Sequence, residues 1–444
     1  MDSTGLISFI GIIVALVVLI WLAYQGFTVM VLAPLAAIII AVFSRQGIYE
    51  TLSTTYIQGY AGFITANCLI LLMSAIFGKF MDESGAARGI GLNVLKLCNL
   101  FPEKSRRTAA VVCMSMINAI LTYGGISLFV VTFTTVSIAK TLFEKMDIPW
   151  SLTMASALGS ATFTMTMLPG SPQLTNLVPT SILGTTPMAA PTLGIIASVI
   201  MVVLGVLYIS YAIKKYDKRG EGFLPSGAEI AKVIPSMDLE TSANIIVCLL
   251  PCIILLVVMN AFSVPPVMAL IVGCIACYLI FFKEFKGKDL KPIFFAGCQN
   301  AMLAVSNTAS IFGFGKVVSA AAGFSFIVGA LDKLPGPPLV QMIVAVEIAA
   351  GITGSSSGGV GIALNAMGQR FLDMGIAPQA VHRLSAIAAG GLDSLPHTTG
   401  LQASLAANRL TVKDGYIHMF WESVLIPIVV VIIVSAIHAA TGIL

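Results

Sequence analysis

Charge is what this chain has least of. Only 10% of its 444 residues are Asp, Glu, Lys or Arg, against about a quarter in soluble domains. Histidine occurs four times and tryptophan three times. So little charge over this length excludes a soluble enzyme and a disordered chain, and the missing basic stripe excludes a nucleic-acid partner. The net charge is modest, +4 from 24 Lys+Arg against 20 Asp+Glu. Alternating segments of about ten residues, the mark of an outer-membrane barrel, are missing too. What fills the chain is apolar: 57% of it falls in the hydrophobic set, in continuous runs such as 7–22, 195–213 and 424–437. Inside lipid such runs must pair every backbone group within their own helix. The sequence therefore reads as an all-α polytopic membrane protein, its length divided into spans.

The opening Met1-Asp2-Ser3-Thr4-Gly5 is acidic and has no basic stretch, so the first apolar run is expected to be retained as a span rather than removed as a signal peptide. The eight cysteines (Cys68, Cys98, Cys113, Cys248, Cys252, Cys274, Cys277, Cys298) fall mostly within apolar runs. Cys274-x-x-Cys277 has metal-like spacing, but it lies among Ile, Ala and Tyr with no histidine nearby. Packing is the expected role, with no metal site and no cofactor.

The polar stretch 214–242 divides the chain almost in half, and the halves resemble each other. Ile76-Phe77-Gly78-Lys79 matches Phe312-Gly313-Phe314-Gly315-Lys316, Gly124-Gly125 matches Gly358-Gly359, Met146-Asp147-Ile148-Pro149 matches the stretch Met374 to Pro378, and Leu168-Pro169 matches Leu395-Pro396. The offsets are 237, 234, 228 and 227, in constant order. The predicted organisation is a first repeat over 1–213, a cytoplasmic linker over 214–242 and a second repeat over 243–444. Spans are expected at 5–23, 27–43, 61–80, 150–173 and 188–213, and at 243–260, 264–282, 297–316, 379–405 and 420–443. The Gly-Gly stretches, 108–140 and 338–371, are short for two crossings of about 20 residues each. They are read as re-entrant hairpins, giving ten spans and two hairpins.

Lys and Arg test the orientation, because they favour cytoplasmic loops. With the N-terminus outside, the inside segments 79–107, 140–149, 214–242, 283–291 and 406–419 hold 19 basic residues, and the outside keeps 5: Arg45, Lys316, Lys333, Arg370 and Arg383. The two halves then enter the membrane from opposite sides. Inverted repeats with broken helices are the mark of a secondary transporter, with its site near the bilayer midplane.

Four segments interrupt helices: 121–127, 168–176, 351–359 and 390–400. They are rich in glycine, hydroxyl and amide groups, with almost no basic side chain. Helix N-termini and hydroxyls hold an anion without one, and glycine permits close backbone approach and positive φ at a hairpin tip. A single carboxylate suits such a site better than a tricarboxylate or a phosphate. The candidate substrate ligands are Thr122, Gly124, Gly125, Ser127, Pro169, Gly170, Ser171, Gln173, Ser355, Ser356, Ser357, Gly358, Gly359, Ser394, Thr398 and Thr399. Intramembrane ionisable residues point to proton relays, which nominates Asp393, His397 and Glu347 for proton coupling. Lys79 and Lys316, each after a glycine at a predicted helix end, are expected to reach for the interface. Ser306-Asn307-Thr308 is a polar triplet within a span, suited to a cation or to helix–helix bonding, and His418 and His438 are expected at the interface.

At these residues the chain resembles the gluconate–proton symporter (gluconate permease) family of the ion transporter superfamily. Phe77-Gly78-Lys79 followed by Asp82-x-x-Gly85-Ala86-Ala87-Arg88, the Pro169/Pro172 break, and above all Gly391-Leu392-Asp393-Ser394-Leu395-Pro396-His397 carry the resemblance, which runs over nearly the whole chain. It implies proton-coupled symport of a small hydroxy-monocarboxylate, an elevator motion, a homodimer and a place in the bacterial inner membrane. Two departures matter. Gluconate-type members carry a glutamate at the first hairpin tip, near Gly124 here, and a histidine in the proline-rich break, where this chain has Leu168 to Pro172. A less hydroxylated acid such as 3-hydroxybutyrate or lactate is the expected substrate. The alternative within transport is a sodium-coupled di- or monocarboxylate carrier. From other classes, a channel would not concentrate its solute, and an intramembrane enzyme would need a nucleophile–base pair or a metal cluster.

Overall fold

Continuous apolar sequence gives continuous helix, and proline and glycine decide where it stops. A computed structural model describes residues 3–25, 27–98, 100–126, 128–234, 244–324, 337–396 and 398–444. The hairpin α1 (Ser3–Tyr24) and α2 (Val29–Phe43) is followed by α3 (Ile57–Glu83), which continues a π-helical turn at Thr51–Tyr56. Then come α4 (Ala86–Cys98) and a second hairpin, α5 (Glu103–Tyr123) with α6 (Leu128–Lys145). After an interrupted stretch, α7 (Leu174–Leu183) leads to α8 (Pro191–Arg219). Beyond the linker the same order recurs. The hairpin α9 (Ile245–Asn260) and α10 (Pro266–Ile280) precedes α11 (Lys291–Ala320). The hairpin α12 (Pro338–Thr353) and α13 (Ser356–Asp373) precedes α14 (Pro378–Ala388) and α15 (Thr399–Ala407). Finally α16 (Val412–Phe420) runs through a π turn at Trp421–Leu425 into α17 (Ile426–Thr441).

Five helical stretches among the described residues are long and apolar enough to cross a membrane: Thr4–Leu22, Ile48–Glu83, Pro191–Arg219, Lys291–Ala320 and Val412–Thr441. Helices α2, α9 and α10 are apolar but shorter, 15, 16 and 15 residues.

The centre of the molecule is the crossing of α3 and α11, which run antiparallel. A Cβ at Gly59 would stand 2.5 Å from the Phe312 carbonyl oxygen, one at Gly313 2.8 Å from the Tyr56 ring, and one at Gly297 2.9 Å from Ile76. Small residues at these points let the two backbones touch, the usual device where lipid offers no hydrophobic drive. The rings of Phe63 and Phe312 pack beside them, tilted by 39° with centroids 4.6 Å apart. Packing around the crossing is reciprocal. The α1–α2 hairpin lies on α11, where Ile12, Leu32 and Ile40 share a core with Phe314 and Val317. The α9–α10 hairpin lies on α3, with Gly273 of α10 against Phe77.

Segments expected on the cytoplasmic side meet one another. Arg107 donates to the Asp217 carboxylate and to the Asp147 carbonyl, the Phe223 amide donates to Asp147 Oδ1 at 2.8 Å, and Trp150 Nε1 donates to the Asn408 carbonyl at 2.7 Å. Phe285 joins them against Phe80, ring centroids 5.4 Å apart.

The turn of the second hairpin falls inside the predicted break 351–359, at Gly354 (φ +60°). Ser355 Oγ accepts the Gly358 amide hydrogen at 3.2 Å and caps α13, so the helix has restarted by Ser356. Gly359 serves the hairpin differently, because a Cβ there would meet Ala350 Cα at 2.3 Å. His418 is buried within the protein at 3% exposure, and its two ring nitrogens bond Tyr208 and Tyr216 hydroxyls at 2.8 and 2.9 Å, because α8 extends to Arg219 and lays both tyrosines against α16.

Candidate functional site: four interrupted segments beside a cavity

Both proline-bearing spans are broken in the middle. The first is tight 3-10 helix at Trp150–Ser156 and π helix at Leu158–Met167, with a non-helical backbone at Thr162 (φ −119°, ψ −105°). Pro169 and Pro172 supply no amide hydrogen, so the chain runs irregularly until α7 begins at Leu174. The second stops at Ala388, makes one 3-10 turn at Leu392–Ser394 and restarts at Thr399. Irregular backbone is stable at membrane depth only when its polar groups are satisfied within protein or a cavity.

Hydrogen bonds chain the four segments together. Gln173 Nε2 donates to the carbonyls of Thr122 (2.7 Å) and Ile126 (3.2 Å), and Tyr123 donates to the Pro169 carbonyl at 2.9 Å, tying the first hairpin tip to the first break. The Thr175 and Ser356 hydroxyls, 2.9 Å apart, tie the first break to the second hairpin. Ser356 also interacts with Asp393, which accepts from Ser394 Oγ at 2.8 Å. Glu347 Oε2 accepts the Leu392 amide at 2.8 Å, closing the chain onto the second break.

Several nominated residues are already committed within this framework. Ser171 Oγ donates to the Thr164 carbonyl at 2.6 Å, and the Ser355 and Ser357 hydroxyls lie 3.3 Å apart. The Gly125 carbonyl (φ +98°) accepts from Ser74 of α3 at 2.7 Å, and Gly124 sits so close to Cys252 that a Cβ would be 2.6 Å from its sulfur. Others hold unused polar atoms. The buried Thr122 Oγ1, Thr398 Oγ1 and Glu347 Oε1 have no hydrogen-bond partner among the described residues. Ser127 and His397 lie outside the described residues, and Thr399 is placed only as the first residue of α15.

The expectation that almost no basic side chain enters this region is wrong. Arg383, counted from sequence as an outside charge, is fully buried on α14. Its Nε and Nη2 donate to the Ala189 carbonyl (3.0 and 2.9 Å), Nη2 also to Pro187 (3.1 Å), and Nη1 to the Met167 carbonyl (3.2 Å) and Asn176 Oδ1 (2.9 Å). Met167 ends the π helix of the broken first span, and Pro187 and Ala189 lie in the connection between α7 and α8. His382 and Asn176, also missed, are fully buried beside it. The signal was present: His382-Arg383 is an ionisable pair inside the predicted span 379–405.

A cavity of about 1250 Å³ opens between the α3–α11 pair on one side and α7, the 184–188 connection and α13 on the other. Among the described residues, Lys316 is the single charged residue in its lining, beside the polar groups of Gln58, Asn67, Thr185, Asn260 and Asn365. Lys316 is exposed there, and it has no ion-pair partner among the described residues, whereas Lys79 pairs with Asp82 at 3.4 Å. None of the nominated ligands among the described residues lines this cavity. The nearest approach is Gly170 (φ +74°), where a Cβ would lie 2.9 Å from Met188 Sδ and 3.0 Å from Asn260 Oδ1, two cavity residues.

No family model matches the chain. The crystal structure of the Alcanivorax borkumensis YdaH transporter, described as having an unusual topology, aligns with 88% of this chain and 89% of its own at 11% identity and a TM-score of 0.46, a likeness too loose to carry an argument. The uncharacterized transporter YxjC of Bacillus subtilis (strain 168) is 31% identical over 474 residues, spanning 97% of this chain and 98% of that protein. Identity at that level along practically the whole of both chains makes this all-helical protein a member of the same transporter family as YxjC.

Proposed function

We propose that this transporter is a proton-coupled symporter of the gluconate-permease type, taking up a small organic monocarboxylate such as 3-hydroxybutyrate, lactate or a sugar acid across the bacterial inner membrane. The observation that carries the reading is the cavity with one unpaired cation, Lys316, surrounded by neutral hydrogen-bonding groups. A lone ammonium offsets a single carboxylate, and the amides and hydroxyls around it suit an acid with one or two further polar groups. The cavity is bounded by the α9–α10 connection and by 184–188, both on the face that the basic-residue count puts outside, so we read the state as outward-open.

The reciprocal packing about the α3–α11 crossing supports two inverted repeats, 1–213 and 243–444, joined by the linker 214–242. In this reading α1–α3 and α9–α11 form the scaffold and any homodimer contact. The hairpins and broken helices form the unit that moves as an elevator. Asp393 and Glu347, linked through the second break, are the proposed deep proton carriers, with His397 four residues beyond Asp393 in sequence. The buried, unpartnered hydroxyls of Thr122 and Thr398 favour a sodium-coupled carrier as the second reading.

The test is uptake of labelled gluconate, 3-hydroxybutyrate, lactate and succinate into proteoliposomes under an imposed proton or sodium gradient. Proton-driven accumulation of a monocarboxylate, with KM raised at least about tenfold by Lys316→Gln and accumulation abolished by Asp393→Asn, is the expected result. Preference for succinate, or drive by sodium alone, would replace this reading by the second.

A further inference from the structure

Behind the cavity-lining Thr185 lies a fully buried histidine whose tautomer the surrounding bonds determine. His382 Nε2 lies 3.2 Å from Asn176 Oδ1, and Nδ1 lies 2.7 Å from Thr185 Oγ1. The Asn176 amide is oriented independently: its Nδ2 donates to the Ser171 and Pro187 carbonyls, and its Oδ1 accepts from Arg383 Nη1. An amide oxygen only accepts, so His382 Nε2 carries the hydrogen, and in the neutral ring Nδ1 is the acceptor. Thr185 therefore gives its hydroxyl hydrogen to the ring. Thr185 is itself only half-buried and lines the cavity.

We propose that His382 and Thr185 form a proton-operated anion contact, in which a proton taken up at Nδ1 turns the Thr185 hydroxyl hydrogen out into the cavity, onto a substrate carboxylate. The inference rests on the proton–monocarboxylate reading and deepens it. One proton binds, the ring becomes donor to Thr185 Oγ1 in place of acceptor, and no covalent bond between heavy atoms changes. The added positive charge is offset by one carboxylate.

Arg383 makes the two ligands arrive together. A second positive charge beside its guanidinium is repelled in a low-dielectric interior until an anion stands nearby. Few other charges face the pair. Of the elements packed on α14, α7 and the Leu158–Met167 turn contribute no ionisable side chain. Helix α12 contributes Glu347, which is engaged at Leu392; α13 contributes Arg370 and Asp373 in its last turn; α8 contributes ionisable residues only from Tyr208 onward; α17 contributes His438, bonded to the Ile443 carbonyl. Tyr123 faces Arg383, and Lys316 lines the same cavity as Thr185.

Uptake and counterflow of labelled 3-hydroxybutyrate in proteoliposomes, at acidic and alkaline external pH, test the contact. For the wild type, KM should fall on acidification. Thr185→Val should raise KM about tenfold at acidic pH and make it insensitive to pH, since it removes one hydrogen bond to a charged group, while Thr185→Ser should behave as wild type. His382→Gln should keep counterflow but lose uphill accumulation. Thr185 sits at the cavity surface, so its variants report even if the buried His382 tolerates no change. A Thr185→Val protein with the wild-type pH response, or a His382→Gln protein that still concentrates substrate, overturns the inference alone. Wild-type transport indifferent to the proton gradient overturns it together with the reading beneath it.

Discussion

Arg383 places a whole charge in the interior without a carboxylate, and carbonyl oxygens take its place. Three backbone carbonyls and the Asn176 side chain accept from it, so the guanidinium fork also pins the end of the broken first span to the 187–189 connection. Removing the fork takes a donor from each of these acceptors in the interior, and among the described residues Pro187 and Asn176 alone keep another, from the Gly170 amide and from His382, so the loss is costly. Lysine cannot replace it, because one ammonium does not reach divergent acceptors in a plane. Arg383→Lys and Arg383→Met are both expected to destabilise the protein by about 3 kcal/mol or more, read as a lower melting temperature in detergent. A wild-type melting point for the lysine variant would remove the fork argument. Sequence spacing makes Lys79 and Lys316 look alike, and only their neighbours distinguish a surface pair with Asp82 from a lone cation in a cavity.

At the level of elements, glycine decides how closely helices meet. A side chain at Gly59 would collide with the backbone carbonyl of Phe312, which cannot swing aside, whereas Gly62, one turn on, has nothing within 4 Å. Gly59→Val should therefore force α3 and α11 apart, costing about 1–3 kcal/mol, and Gly62→Val should leave the melting temperature unchanged. Equal effects from the two would mean that the crossing tolerates separation. The broken helices were legible in the sequence, because Pro169, Pro172 and Pro396 remove amide donors wherever they stand. The exact turn of the second hairpin was not, because the predicted break 351–359 holds four glycines and only the Ser355 cap, which restarts the helix, fixes the turn at Gly354.

On the scale of the molecule, the elevator reading requires the interrupted segments to slide past α3 and α9–α11. Met188, beyond α7, and Asn260, at the end of α9, both reach the same face of Gly170. With the native cysteines replaced, Met188→Cys combined with Asn260→Cys should cross-link on oxidation and stop uptake, and reduction should restore it. A cross-linked protein that still transports at the wild-type rate would show that this boundary does not move.

Composition and hydropathy alone determined that the chain is a bundle of membrane helices. In lipid an apolar run has no other way to pair its backbone, and the closely spaced Pro169 and Pro172 mark a break, although Pro34, Pro179 and Pro251 lie within continuous helices. Which polar groups meet was decided only by the tertiary structure. Asn176, Thr185, His382 and Arg383 come from distant parts of the chain, and nothing in their local sequence states that they form one hydrogen-bonded cluster behind the cavity-lining Thr185. Lys316 owes its setting to the same cause: among the described residues, folding brings no acid within ion-pair distance of it.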